Sequence, residues 1–560
     1  MAKLSDFVYK KTISVLFCGL ALYLLILAGF STSVVNAEEQ TYLIRDHIIT
    51  NLLFSVLFLE ILILLKNPLI KKINNGEISF KKCKILVLAL FTVISIIYVI
   101  SARKLQNYDS KFIFDSAREW REGIYISMEP GGYAESHPNN KGIILLIYLF
   151  SYILGPDNYL AFQIINVIFL VLLYNAMVEL GRVQGTTDAS ALILLIICVL
   201  FFPLNLYAIY TYGVIIGISC MVNSLLFLIR FLEYKRPYQG ILSIMFAFVG
   251  VMIKQNGNIL LLGMIIFLSY RIIKKPNKKC LLMISALIGV LFFLNPLIKY
   301  TTDTITNTKT GQGISMNAYI AMGFNEDSYL YPGWYNVYVD DSYREANLST
   351  KKQSEMARGV IRKKLEEYTS DPWHALDFFS KKNASQWNNP DFEAVWLLQY
   401  RKSANNNYPK LLEYIESVKG AALVNRIANR IQFIILFGVL FFAFLKKRKT
   451  DVELYYCMVI IGGFIFHTFW EAKCQYILPY FVLMLPLSAA GYTELLSLGI
   501  DYRNLVKHKR LVSLVVIVML VSAIVSSGIS KNLTCVFARY DDTVRYENYV
   551  AQSPQYDKAD

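Results

Sequence analysis

The chain has 560 residues, 55% of them hydrophobic and 17% charged, with a net charge of +15. Soluble domains carry nearer a quarter charged residues, and the apolar residues here gather in blocks of about 15 to 23, long enough to cross a hydrocarbon layer roughly 30 Å thick. This excludes a soluble globular protein, and the positive charge calls for no nucleic acid, because much of it lies in short loops between blocks, where Lys and Arg mark the cytoplasmic side.

Taken in chain order, Lys3, Lys10 and Lys11 place the N-terminus in the cytoplasm. Residues 12–30 form a first span rather than a signal peptide: no small-residue cleavage site follows, and further spans do. The loop holding Glu38 and Glu39 is then external. Residues 48–65 return to a loop rich in lysine, Lys66 to Lys84, and residues 84–101 exit again. The loop from Asn107 to Gly142 is therefore external.

Six apolar segments follow, at 143–155, 158–178, 189–205, 212–231, 240–253 and 257–271, and they end at the basic run Arg271 to Lys279. Passing from outside to inside takes an odd number of crossings, so one segment does not cross. Segment 143–155 is short and ends at Gly155-Pro156-Asp157; it is expected to lie at the outer surface or to re-enter there. Residues 281–298 exit, 299–430 form a large external segment, 431–446 re-enter, 453–468 exit, 475–492 return and 511–528 exit.

The expectation is an all-α polytopic membrane protein with about thirteen transmembrane helices. A large, mainly helical external segment interrupts them, the N-terminus is cytoplasmic and the C-terminus external. Its parts are the first three spans (1–101), an external loop with a surface helix (102–157), six spans (158–298), the external segment (299–430), four spans (431–528) and a tail (529–560). In the external segment, Met356, Val360, Ile361, Leu365 and Tyr368 recur at helical spacing, and Asp371-Pro372 has the form of an N-cap followed by proline at the first helical position. The eight cysteines form no CxxC pair and no metal-ligand spacing; Cys474 and Cys535 fall outside, with a bond between them left open.

Charge beside lipid is costly and marks candidate functional sites. Asp109 opens the first external loop. It can cap a helix over 110–122, ended by Gly123, and it can act as a general base toward an acceptor hydroxyl; the two oxygens of a carboxylate allow both. Asp115, three residues before Arg118, reads as part of a surface ion pair and as a secondary site candidate. Glu135 and His137 lie in a Gly-rich stretch leading into the non-crossing segment, and Asn139 and Asn140 can bond sugar or acceptor hydroxyls or cap the next helix. Lys254 and Lys473 both fall on the outer side, against the usual bias. They can snorkel to headgroups or clamp a lipid phosphate as charge develops on it. Trp334, Trp373, Trp387 and Trp396 all fall in the external segment, where aromatic faces stack on sugars but also build ordinary cores.

These residues, in this order, resemble the GT-C superfamily of integral-membrane glycosyltransferases, and most closely bacterial relatives of protein O-mannosyltransferases and of the aminoarabinose–lipid A transferase. The superfamily pattern has an Asp in the first large external loop, a Gly-Gly-Tyr stretch and an acidic/aromatic-His-or-Tyr-Pro-polar-Gly motif. Asp109, Gly131-Gly132-Tyr133 and His137-Pro138-Asn139-Asn140-Lys141-Gly142 match it. Met322-Gly323, Gly333-Trp334-Tyr335-Asn336, Lys382 and Trp387 look like a second external region of these bacterial members. Glu471 to Pro479, with Lys473 and Tyr476, resembles their late Glu-x-Arg-x-x-Tyr-x-x-Pro stretch, with Lys in place of Arg.

The resemblance implies a polyprenyl-phosphate sugar as donor, with its isoprenoid tail in a groove between spans, and an acceptor hydroxyl attacking in line with inversion. Asp109 would be the base, Lys254 and Lys473 would hold the departing phosphate, and Glu135, His137, Asn140, Glu471 and Tyr476 would contact substrates. The acceptor would be an extracytoplasmic cell-wall glycan, teichoic acid, lipid or protein at the cell membrane. No cofactor is implied; residues 207–212 carry no acid where some members have a second acidic motif, which weakens the case for a divalent metal. Two alternatives remain. A polysaccharide polymerase or ligase acting on lipid-diphosphate glycans would favour more external Arg, and a transporter would place charges mid-membrane in broken helices.

Overall fold

The computed structural model describes residues 2–326, 331–498 and 542–552; the expected span at 511–528 and Cys535 lie outside them. Among the described residues, nine helices are long and apolar enough to cross a membrane. Their side chains are arranged for lipid. The helix Ile48–Leu65 buries Asn51 and Ser55 and turns Ile49, Leu53 and Leu64 outward, at 71%, 63% and 74% exposure. The helix Phe80–Ala102 likewise buries Ser95 and exposes Ile85, Leu86 and Ile94. Such inverted faces would be a large apolar patch in water and are stable against hydrocarbon. At the centre stands Val214–Tyr234, packed on Tyr159–Val183 and Pro237–Ile253. Ala2–Phe30, Val418–Leu445 and Leu478–Ser497 complete the core on another side. The protein is an all-α multi-pass membrane protein.

Among the described residues, the expected count of thirteen spans is not confirmed. Three expected spans meet helices that fall short. The segment at 189–205 breaks into Asp188–Leu200 and Phe202–Ile209, bent by 55°. Pro203 lies just past the break, lacking an N–H and disfavouring helix at the residue before it. Pro237–Ile253 has 17 residues, or about 25 Å of helix. Leu478–Ser497 carries Pro486, Tyr492 and Glu494 among its apolar residues. The helix Lys141–Leu154, over the segment expected not to cross, has 14 residues, roughly 21 Å, short of the hydrocarbon thickness.

The flanking helices run into the segment expected to be external at 299–430. Lys278–Thr306 runs on beyond its apolar part, supported by a Lys299–Asp303 ion pair at 2.9 Å one turn apart, and Val418–Leu445 begins early, capped by Ser417. Between them the helices Met316–Gly323, Tyr338–Glu345, Thr350–Ser370 and Pro372–Trp387 pack in succession. Asp371 caps the last of these, its carboxylate accepting from Trp373 and His374 N–H at 3.1 and 3.0 Å.

A two-stranded antiparallel hairpin, Ser31–Val35 with Thr41–Arg45, joins the first two spans. It docks on the end of Pro372–Trp387: Ser33 N–H donates to Asn388 O at 3.0 Å and Asn389 Nδ2 to Ser33 O at 3.1 Å. The helix Thr543–Gln552 covers its second strand, with Tyr546 against Tyr42.

Candidate active site

The helix Tyr108–Arg121 starts two residues earlier than the Asp109-capped helix expected from the sequence, with Asn107 at its N-cap. Asp109 is thereby moved into the first turn, where its carboxylate caps nothing and is exposed. It is held instead by a chain of neutral groups. Tyr133 O–H donates to Asp109 Oδ1 at 3.1 Å, and Asn140 Nδ2 donates to the Tyr133 and Tyr212 hydroxyls at 2.8 and 3.1 Å. Lys254 Nζ sits 3.6 Å from the centre of the Tyr212 ring, a cation–π distance. The Gly-Gly-Tyr stretch, the His-Pro-polar-Gly motif and Lys254 thus form one path from the carboxylate to a cation. Gly142 makes it close-fitting: a Cβ there would lie 2.0 Å from the Met252 carbonyl oxygen, two residues before Lys254.

The second cation stands in the turn Glu471 to Tyr476. Ala472 pairs with Gly333 and Trp334 as a parallel bridge, its N–H donating to Gly333 O at 2.7 Å. Gly333 has φ +79, and a side chain there would meet Gly323 O and Lys382 Cε, each at 2.7 Å. Buried Lys382 donates to Gly323 O at 2.5 Å. The residues grouped by resemblance at 322–323, 333–336 and 382 are therefore packed directly against the 471–473 turn and hold it. Lys473 Nζ lies 3.4 Å from Glu39 Oε1 and 5.6 Å from the Trp396 ring. Glu471 is buried and accepts from Tyr476 O–H at 3.4 Å.

Electrostatics tie the two cations together. Burial lowers Lys254 to about 7, against the pull of Asp109 and Glu471 and with a push from Lys473. Burial raises Glu471 to about 7, which Lys473 opposes and Asp109 reinforces. Burial also weighs on Lys473, but Glu393, Glu39 and Glu471 outweigh it and its pKa rises. Lys254 borders a narrow groove between Val214–Tyr234, Gly257–Lys274 and the start of Leu478–Ser497, lined by Val214, Ile218, Met221, Leu260, Tyr476 and Pro479.

The structure gathers Asp109, Asn140, Lys254, Glu471, Lys473 and Tyr476. Glu135 and His137 are placed differently. Both Glu135 oxygens are engaged, accepting from Tyr343 O–H of the helix Tyr338–Glu345 at 3.0 Å and from Gly131 N–H at 3.2 Å, which ties the 131–136 turn to that helix. His137 stacks on Tyr133 at 4.8 Å and positions that ring. Asp115 pairs with Lys111 and with Arg118 at 2.9 Å. Tyr133 and Tyr212 join the site without having been singled out for a role, as do Glu39 and Glu393. Among the described residues, the cluster able to hold a metal is Glu326, Glu367 and His374. Lys364 already pairs with both carboxylates, at 3.3 and 3.0 Å.

No protein-family model matches the chain, and no curated protein matches its sequence. Among solved structures it is similar to the oligosaccharyltransferase of Archaeoglobus fulgidus in the apo form, at 14% identity over 85% of this chain and 60% of that one, with a TM-score of 0.40. It is similar to the same degree, 14% over 86% and 61% with a TM-score of 0.40, to the archaeal oligosaccharyltransferase AglB from Archaeoglobus fulgidus in complex with an inhibitory peptide and a dolichol-phosphate. The chain spans about 60% of the length of these structures. At that level of likeness, the function rests on the site's own residues.

Proposed function

We propose that this protein is a membrane glycosyltransferase of the GT-C type, moving a sugar from a polyprenyl-phosphate donor to a hydroxyl of an extracytoplasmic glycan, lipid or protein. The observation that carries the reading is that Lys254, which lines an apolar groove, lies close enough to exposed Asp109 and to Lys473 to feel the charge of both. A lipid with an anionic head has that shape: the groove takes the isoprenoid tail and Lys254 and Lys473 take the phosphate.

Asp109 accepts the proton of the acceptor hydroxyl. The acceptor oxygen attacks the anomeric carbon, and the bond from that carbon to the phosphate oxygen breaks with its electron pair on the phosphate. The phosphodiester monoanion becomes a monoester that is nearly dianionic at neutral pH, its second pKa being about 6. Fixed positive charge at that point stabilises the transition state more than the bound donor. In-line attack gives inversion. The Tyr133–Asn140–Tyr212 chain sets the position of Asp109 relative to Lys254.

The test is transfer by the purified protein from a polyprenyl-phosphate sugar, with Asp109→Asn as control; a purified protein that neither transfers nor hydrolyses any such donor would retire the reading. The site end faces outward in this proposal. An impermeant thiol reagent added to whole cells should then label a cysteine placed at Asp157 and spare one at Arg182; strong labelling at Arg182 would reverse the sidedness.

A further inference from the structure

The hairpin Ser31–Val35/Thr41–Arg45 is the one sheet among the described residues, and its tip delivers a carboxylate to the site. The Asn36 side-chain oxygen accepts from Glu38 and Gln40 N–H at 3.0 and 2.8 Å, and Glu39 N–H donates to Asn36 O at 3.0 Å. Glu39 itself has φ +60, a conformation that L-residues adopt rarely and that needs surrounding structure to hold it. The strands behind the tip are fixed to the 385–389 backbone, Ser33 Oγ donating to Ser385 O at 2.8 Å. The backbone of Glu39 is thus held in place while its side chain, 39% exposed, reaches Lys473 across a loose 3.4 Å contact. Lys473 is itself only 18% exposed, so the exposed partner is the one free to move.

We propose that Glu39 competes with the lipid phosphate for Lys473, and by returning to that ammonium drives off the spent polyprenyl phosphate after transfer. The inference rests on the proposed function, since it takes Lys473 as a phosphate ligand.

Charge accounting around Lys473 supports it. Glu39, Glu393 and Glu471 all act on this ammonium, and three ionised carboxylates would repel a phosphate. Two of them are buried. Glu393 is 1% exposed, and neither of its oxygens makes a hydrogen bond of good geometry. Burial first, and then Glu39, push Glu393 up to about 8 against the pull of Lys473, and Glu471 stands at about 7. Near neutral pH both carry reduced charge. Glu39 is the exposed carboxylate left facing Lys473, and it is the group a phosphate must displace. The donor is a monoanion and the product close to a dianion, so the product holds Lys473 more tightly. A carboxylate tethered beside the ammonium is present at high effective concentration and shortens the product's stay.

The experiment measures binding of a polyprenyl monophosphate bearing no sugar, together with donor KM, kcat and inhibition by that monophosphate. Glu39→Gln should tighten monophosphate binding and product inhibition by roughly two- to five-fold, the scale of a partly exposed ion pair, with a smaller drop in donor KM. Glu39→Asp, which keeps the charge but withdraws it by one methylene, should fall between. In a Lys473→Met background Glu39→Gln should change nothing, because the competition acts through that ammonium. Unchanged or weaker binding in Glu39→Gln overturns the inference, and so does an equal gain with or without Lys473. A Lys473→Met variant that binds the monophosphate normally would instead remove the phosphate clamp from the proposed function. Weakened binding in Lys473→Met with no response at Glu39 retires the competitor alone.

Discussion

The site's two charged stations are built in contrasting ways. Around Asp109 the neighbours are neutral: a tyrosine hydroxyl donates to it, an asparagine bonds that hydroxyl, and a second tyrosine leads on to Lys254. Around Lys473 the neighbours are carboxyl groups, with Glu39 in contact and Glu393 and Glu471 buried close by. A carboxylate held by neutral donors keeps one oxygen free to take a proton. A cation ringed by carboxylates is pinned in place and can be contested. On the proposed function, the difference separates a group that reacts from a group that binds and releases.

The largest test of this contrast is Asp109→Asn, which keeps the shape and the bond from Tyr133 but deletes the base. Transfer should fall by about 10²- to 10⁴-fold while the protein still inserts and donor binding changes little. If donor binding collapses as well, the two stations are not separable.

Next in size is the loss of one cation. Lys473→Met or Lys254→Met removes a charge that acts as the phosphate departs, and each should lower kcat by roughly 10²- to 10³-fold. Lys473→Arg should keep much of the activity, because a guanidinium suits phosphate. Snorkelling lysines would give near-normal turnover in both Met variants, measured as initial rates at saturating donor.

How much of this the sequence carries depends on the range of the contact involved. The spans are local: blocks of apolar residues set off by basic loops. Asp109, Lys254 and Lys473 were legible for the same reason, as charges out of place beside those blocks. The failures are non-local. Glu39 meets Lys473 across 434 positions, and nothing near either residue marks the other. The five-residue strands at 31–35 and 41–45 abut a span and lack the length to declare themselves. Nothing near Glu135 marks its partner Tyr343 either, which lies 208 positions away. The break before Pro203 is the exception, since that proline was in plain view.

A third test uses pH. A phosphate needs Lys254 as an ammonium, and burial has lowered that lysine to about 7, with Asp109 and Glu471 pulling it up and Lys473 pushing it down. Below pH 7 the proton is already on. Above pH 7 it must be taken up with the donor, so donor affinity should fall by up to about tenfold per pH unit. Lys254→Arg stays charged throughout and should flatten the profile. Glu471, also near 7, gains negative charge over the same window and adds to the fall; Glu471→Gln should remove that share. A slope unchanged in both variants would place the titrating group elsewhere.

The smallest effect is expected one and a half turns along the same helix from Asp109. Asp115 is the other aspartate of that helix, yet it is saturated by cations, pairing with Lys111 one turn before it and Arg118 one turn after, while Arg118 also reaches Asp157. Pairs at this spacing are worth roughly 0.2–0.5 kcal/mol each, and the freed Arg118 keeps Asp157. Asp115→Asn should therefore shift thermal stability by about 1 kcal/mol at most and leave transfer within about twofold of the parent, inside the range of an ordinary surface change. The two Asn variants make the same chemical change six positions apart on one helix, so they differ in what surrounds the carboxylate. A loss at Asp115 as large as that at Asp109 would mean that the neutral setting of Asp109 is not what distinguishes the base. It would also assign the Asp115–Arg118–Asp157 chain a part in holding the acceptor.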